Sequence, residues 1–505
     1  MMKKFRDLSF LVTVLLFIAH FVVWCNGDDA QILEASLMEK TEQEALYFAI
    51  QGFVGKHWNG SDLYPDPCGW TPIQGVSCDL YDGLWYVTDL SIGPIHDNSL
   101  ECAQNAEFSP HLFTLKHLRA LSFFNCFVSP RDHPISIAAQ NWELLAGSLE
   151  SLEFRSNPGV IGPVPSAIGD LRKLQSLVLV GNGLSGDLPG NIGSLVSLRR
   201  LVISGNKFTG RIPDSFGGFG SLLIFDLSRN FLSGPLPSSL GNLSSLLKLD
   251  LSKNQLGGKI PEEIGNLKNL TLLDLSNNNF SSGLTKSLQE MWSLEELVMS
   301  NNPIGGTLLG LEWGHLKATL TVLDLSNTRL NGGIPESITW LERLRFLGLN
   351  DNNLSGQVSP RLAVLPNVSA IYLNGNNLTG KLAFSQGFYG KMGRRLGLWN
   401  NPNLCFPFAT PTSHVPFGVK SCQQQHIITL TTQIGLDANS RLGNGNQNRN
   451  GNQNENGNGN GKGDSYVGPM VSLGFSTHFD LWRTLVAQLF IALLLLNLEI
   501  RIFGV

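Results

Sequence analysis

Leu243 to Asn266 reads LSSLLKLDLSKNQLGGKIPEEIGN, and Leu267 to Gly283 begins the same pattern again as LKNLTLLDLSNNNFSSG. Leucines and one asparagine stay fixed while the letters between them vary. The frame is L-x-x-L-x-L-x-x-N-x-L-x-G-x-[IL]-P. Its asparagine position falls at Asn157, Asn182, Asn206, Asn230, Asn254, Asn278, Asn302, Thr328, Asn352, Asn376 and Asn401. Every step is 24 to 26 residues, so eleven units share one register. A fixed period of this size is the mark of a solenoid.

The chemistry of the frame says how each unit folds. Alternation in L-x-L makes a short strand whose leucines point one way. The turn after it has backbone groups that need partners once buried. Asparagine both donates and accepts, so a column of asparagines bridges successive coils. Glycine and proline then bend the chain back. One coil cannot bury its apolar face alone, whereas a stack buries a continuous ribbon of leucine.

Outward from the repeat the frame loosens. LRALSFFNC places Cys126 at the asparagine position, and the 31 residues from there to Asn157 carry an insertion around SPRDHPISIAAQNWE. VTDLSIGPI, Val87 to Ile95, reads as an earlier, degenerate unit. A stack has two open ends, which need caps. TEQEALYFAIQGF begins with a capping box, Thr41 and Glu44, and places Leu46, Ile50 and Phe53 on one helical face. Trp58 and the segment from Cys68 to Cys78 complete the first cap, and NNPNLC leads to Cys405 in the second.

Lys3, Lys4 and Arg6, the apolar run Leu8 to Trp24 and small residues near Gly27 form a secretory leader cut near Gly27–Asp28. Cys25 leaves with it, so six of the seven cysteines remain. Proximity pairs them as Cys68–Cys78, Cys102–Cys126 and Cys405–Cys422, among about 15 pairings open to six cysteines. The spacings do not suit zinc. The formal charge of −4 becomes more negative once three basic residues and one acidic residue go with the leader, so nothing resembles a nucleic-acid surface.

The frame with its LSGPLP, GGKIP and FTGRIP variants, the cap W…CGWTPIQGVSC and the NNPNLC end resemble plant-type leucine-rich repeat ectodomains of receptor-like kinases and receptor-like proteins. The resemblance covers about residues 40 to 425. The proline and added residue in the first cap set the chain in a distinct subgroup. The implied fold is an α/β solenoid, a right-handed superhelix with disulfide-bonded N- and C-terminal caps. The expected order is leader 1–27, N-terminal cap 28–84, repeats 85–402, C-terminal cap 403–425, Gly/Asn-rich linker 426–480 and hydrophobic membrane-anchor segment 481–505. The linker cannot bury apolar area. The tail has a 14-residue apolar run, Leu485 to Leu498, short of a usual span, and is expected to attach the chain to a membrane as a lipid-anchor signal or a spanning helix.

No phosphate loop, kinase signature, HExxH or GxSxG occurs, and His96, His111, His117, His133 and His315 are scattered without fixed partners. The expectation is a binding protein, not an enzyme, without metal or cofactor. The strand letters that do not serve the core form a concave face. Its candidate contacts are Arg200, Asp226, Arg229, Asp250, Lys253, Asp274, Glu296, Asp324, Phe346, Tyr372 and Trp399. The aspartate column reads first as a habit of the frame that orders strand ends, and second as a surface for a basic peptide. Phe346, Tyr372 and Trp399 read equally as contact anchors or local packing. Seven N-x-[ST] acceptors, Asn59, Asn242, Asn269, Asn279, Asn353, Asn367 and Asn377, suit a glycosylated secreted chain.

The resemblance implies a cell-surface receptor-like protein that binds a protein or peptide ligand, or a receptor-kinase ectodomain or co-receptor. Plant signalling towards a symbiotic or pathogenic microbe is its expected setting. The competing expectation is a cell-wall inhibitor of a microbial polysaccharide-degrading enzyme.

Overall fold

The computed structural model describes residues 38–94, 100–407 and 415–422. The chain divides into two compact units, residues 1–426 and 427–505, and the described residues all lie in the first. The expected leader, His96, the Gly/Asn-rich linker and the hydrophobic tail lie outside them, as do residues 28–37 of the first cap.

A fourteen-stranded sheet is built one strand per coil. It opens with an antiparallel pair, β1 (Val76–Tyr81) and β2 (Leu84–Ile92), joined at Asp82 and Gly83, which both have positive φ as a tight hairpin demands. From β2 onward every pairing is parallel, ending at Leu396–Gly397. Leu201, Phe225, Leu249, Leu273, Leu297, Leu323, Leu347 and Ile371 stand opposite one another along the sheet, and all are fully buried. The period-24 leucines therefore form the ribbon core that the frame predicts.

The return path is 3-10 rather than α-helical. Pro165, Pro189, Pro213, Pro237, Pro261 and Pro335 cap the 3-10 turns that follow. Proline's fixed φ suits that position, and its carbonyl accepts the turn's first bond, as in Ile264 N–H to Pro261 O at 3.3 Å. A glycine late in the turn lets the next coil close in: a Cβ on Gly241 would lie 2.4 Å from Glu263 O. The α component of the expected α/β solenoid is confined to the ends.

The asparagine column works as its chemistry suggests. Asn254 Nδ2 donates to Leu227 O in the coil before at 3.0 Å and to Leu251 O at 3.1 Å, while its Oδ1 accepts from Leu232 N–H at 3.1 Å. The same pattern recurs at Asn230, Asn278, Asn302, Asn352 and Asn376. Thr328 interrupts it: its Oγ1 donates to Leu325 O within its own coil at 2.6 Å and does not reach the coil before. Cys126 interrupts it too, since its sulfur bonds Cys102. Both lengthened coils are filled by a tryptophan. Trp142 and Trp313 are buried, and their indole N–H groups donate to Ala138 O and Leu308 O at 2.7 and 3.3 Å.

The first cap is helix α1 (Lys40–Val54) followed by α2 (Gly60–Leu63). Leu46, Ile50 and Phe53 are fully buried, as the periodicity predicts. The expected capping box of Thr41 and Glu44 is not formed. Glu39 caps α1 instead, its carboxylate accepting from Thr41 and Glu42 N–H, and Thr41 lies inside the helix. A carboxylate has two acceptors for two adjacent N–H groups and a charge that suits the helix N-terminus, so it outcompetes the hydroxyl. The return path before the last coil holds α3 (Gln386–Met392), packed through Phe388, Tyr389 and Met392. The disulfides are Cys68–Cys78, Cys102–Cys126 and Cys405–Cys422.

Candidate functional site

Each main strand turns its leucines inward and its remaining letters to the concave side, and parallel register sets those letters in columns. One column runs Arg200, Ile224, Lys248, Leu272, Glu296, Val322, Phe346 and Ala370. The next runs Val202, Asp226, Asp250, Asp274, Val298, Asp324, Gly348 and Tyr372. The aspartates are thus three in a row, with Asp324 beyond Val298.

Their carboxylates are occupied. Asp226, Asp250, Asp274 and Asp324 each accept from the N–H of the serine two residues on, at 2.8 to 3.0 Å. That bond closes the strand end locally, as an Asx turn does. Burial pushes the Asp250 carboxyl up to about 6 against the opposing bonds from Ser252, and burial raises Asp274 too. The column therefore serves strand geometry first.

The other polar candidates scatter. Arg200 and Glu296 share a column four coils apart and are not brought together. Arg200 Nε is buried without a hydrogen-bond partner in the protein. Arg229 and Lys253 do not stand on the strand face. They occupy the turn that leaves it, at φ 55° and 56°, and are exposed. Val178 and Val202 on the concave side are themselves buried, which closes the face there.

The C-terminal coils are different. Phe346 and Tyr372 have ring centroids 5.8 Å apart, and Trp399 meets Phe417 edge-on at 5.8 Å. Two glycines make room for these rings to lie over the sheet. A Cβ on Gly348 would sit 2.9 Å from Phe346 Cε1, and one on Gly397 would sit 2.8 Å from Tyr372 Cδ1 and 3.2 Å from Trp399 Cη2. Beneath them Asn374 Oδ1 is buried with no hydrogen-bond partner in the protein, 2.5 Å from where that Cβ would be. An aromatic platform of this kind is equipped to hold an apolar group. Sequence reasoning found the three rings and sets Gly348 and Asn374 among the strand letters of this face without a role, but missed Gly397 and Phe417. The signal lay in the loss of the frame's Asp at Gly348 and of its leucine-flanking polar letter at Gly397.

The arrangement offers contacts rather than a reacting group. Among the described residues no cluster of His, Cys, Asp or Glu is placed to hold a metal. His111, His133 and His315 are exposed, and His117 stacks on Tyr81 at 3.9 Å. All seven glycosylation-motif asparagines are exposed, although Asn269 and Asn367 donate their amides to Ser244 O and Glu342 O in the preceding coil at 2.9 and 2.7 Å.

Comparison with known proteins finds the repeat itself. Leucine rich repeat family models match residues 196–256 and residues 173–195, 269–291 and 319–341. Piriformospora indica-insensitive protein 2 of Arabidopsis thaliana is 60% identical over 165 residues, 32% of this chain and 38% of that protein. Receptor like protein 29 of Arabidopsis thaliana is 36% identical over 148 residues, 29% of this chain and 30% of that protein. The matched region thus spans between 30% and 38% of these relatives' own length. A solved TDR receptor aligns at 28% identity over 57% of this chain and 56% of that one, with a TM-score of 0.48. The chain carries leucine-rich repeats between disulfide-bonded caps and is similar over that part to Piriformospora indica-insensitive protein 2 and to Receptor like protein 29.

Proposed function

We propose that this chain is a recognition protein of the plant cell surface that binds a protein or peptide ligand on its concave face and signals through a receptor-like kinase or co-receptor. The aromatic platform of Phe346, Tyr372 and Trp399 carries the proposal, because its rings are presented on the hollow side by glycines rather than buried in the core. Aromatic anchors are where binding energy concentrates. The leader at 1–27, sugars on the seven motifs and membrane attachment through 481–505 complete the proposal, with response to a symbiotic or pathogenic microbe as its setting.

The test expresses the full chain in plant cells and recovers complexes from the membrane fraction, comparing wild type with Phe346→Ala/Tyr372→Ala. A receptor kinase recovered with wild type and reduced at least tenfold with the double variant supports the proposal. Equal recovery with both, or a mature chain found free in the wall without any kinase, overturns it.

A further inference from the structure

We propose that the rim around Arg229 and Lys253 is a second interaction surface, shaped for an acidic segment of a partner protein. Each coil leaves its strand through a left-handed residue. Elsewhere that residue is glycine or a short polar side chain, as at Gly181, Gly205, Asn277, Asn301 and Asn327. Glycine has no Cβ to clash, and asparagine is among the few L-residues that visit this region routinely. In two consecutive coils the chain places Arg229 and Lys253 there, at φ 55° and 56°. Long cationic side chains have neither advantage, so local folding does not account for them. Strained positions kept in a structure are where function is sought.

Their surroundings point the same way. Phe231, two residues after Arg229, is 50% exposed. Its backbone N–H donates to Phe208 O at 2.9 Å, which sets it beside Lys207 in the coil before. Arg211 reaches over Gly234 of the next coil, its Cγ 3.0 Å from where a Cβ would sit. Adjacent coils are about 4.8 Å apart, so four cations and one exposed ring fall within three consecutive coils. Lys207, Arg211, Arg229 and Lys253 are exposed, and none forms an ion pair among the described residues.

Lys253 stands close enough to Asp274 to oppose the rise that burial gives its carboxyl, and the carboxylates nearby each hold a hydrogen bond of their own. Asp187 accepts from Thr209 Oγ1 at 3.2 Å, and Asp226, Asp250 and Asp274 accept from serine N–H groups on the concave side. The unpaired positive charge selects an anionic partner. The exposed ring at its centre selects a partner with apolar side chains as well, which a protein segment has and an acidic polysaccharide lacks. Arginine beside an aromatic ring is the composition of a protein contact. The surface stands apart from the aromatic platform and does not depend on it.

The experiment measures fluorescence anisotropy with the full chain and three probes: a glutamate-rich peptide carrying one tryptophan, its glutamine counterpart, and labelled polygalacturonate. The glutamate peptide is expected to bind, and to lose at least tenfold in affinity in high salt and in Arg229→Asn/Lys253→Asn. That double variant installs the residue other coils use, so it melts no lower than wild type, and the loss is then one of contact and not of folding. Phe231→Ala weakens binding and Phe346→Ala leaves it unchanged. Unaltered binding by the double variant, equal binding of the glutamine peptide, binding of polygalacturonate in place of the peptide, or loss of binding in Phe346→Ala each overturns the proposal.

Discussion

At the residue scale, the asparagine column shows how much one side chain can settle. Asn254 satisfies two carbonyls and one N–H across two coils from a buried position. Replacing it with alanine strands the Leu232 N–H and opens a gap. Asn254→Ala is expected to cost about 3 kcal/mol in urea unfolding. The left-handed cations give the opposite sign. Lys253→Gly removes a backbone penalty of about 1 kcal/mol and raises stability by up to that amount, less glycine's extra freedom in the unfolded chain. Asp250 gives a pH dependence. Burial raises its folded value from 3.8 to about 6, so between those values the folded chain keeps a proton that the unfolded chain has lost. Its contribution is therefore most favourable below about pH 4 and is lost as pH climbs to about 6. Asp250→Asn removes that slope: the variant's gain in urea midpoint over wild type grows from pH 4 to pH 6 and then stays level.

At the element scale, the coil was legible and its exceptions were not. L-x-L alternation, the asparagine and the Pro-Gly turns each follow from local chemistry, so strand, ladder and return path could be read directly. The β1–β2 hairpin was missed although Asp82-Gly83 is a strong turn signal, because the search for the repeat absorbed Val87 to Ile95 as a degenerate coil. The capping box failed because Glu39, Thr41 and Glu44 all offer acceptors, and only geometry decides among them. The two long coils conceal their reason as well. Their extra residues are held by Trp142 and Trp313, whose indoles fill the added space and bond its backbone. Trp313→Ala is expected to cost about 4 kcal/mol by the same unfolding measurement. The concave face was half legible for a similar cause. Its columns follow from period 24, but the platform depends on what Gly348 and Gly397 lack, and a missing Cβ has no periodic signature.

At the scale of the whole molecule, each coil leans only on its neighbours, so stability is set by interfaces and ends. The Cys405–Cys422 bond closes a separation of 17 residues at the terminal coil. Removing it with Cys405→Ser/Cys422→Ser costs about 3 kcal/mol by chain entropy. The loss should show in hydrogen exchange as faster opening of the Ala370–Tyr372 and Leu396–Gly397 strands, while the Arg200–Val202 strand keeps its protection. The interruption at Thr328 has a mechanical consequence. Amide rungs on its two sides behave like rivets along a spring, and one rivet is missing. Held by its ends in an optical trap and stretched, the coil at Thr328 parts before the coils at Asn254 or Asn278 do, and Thr328→Asn raises the force of that first rupture.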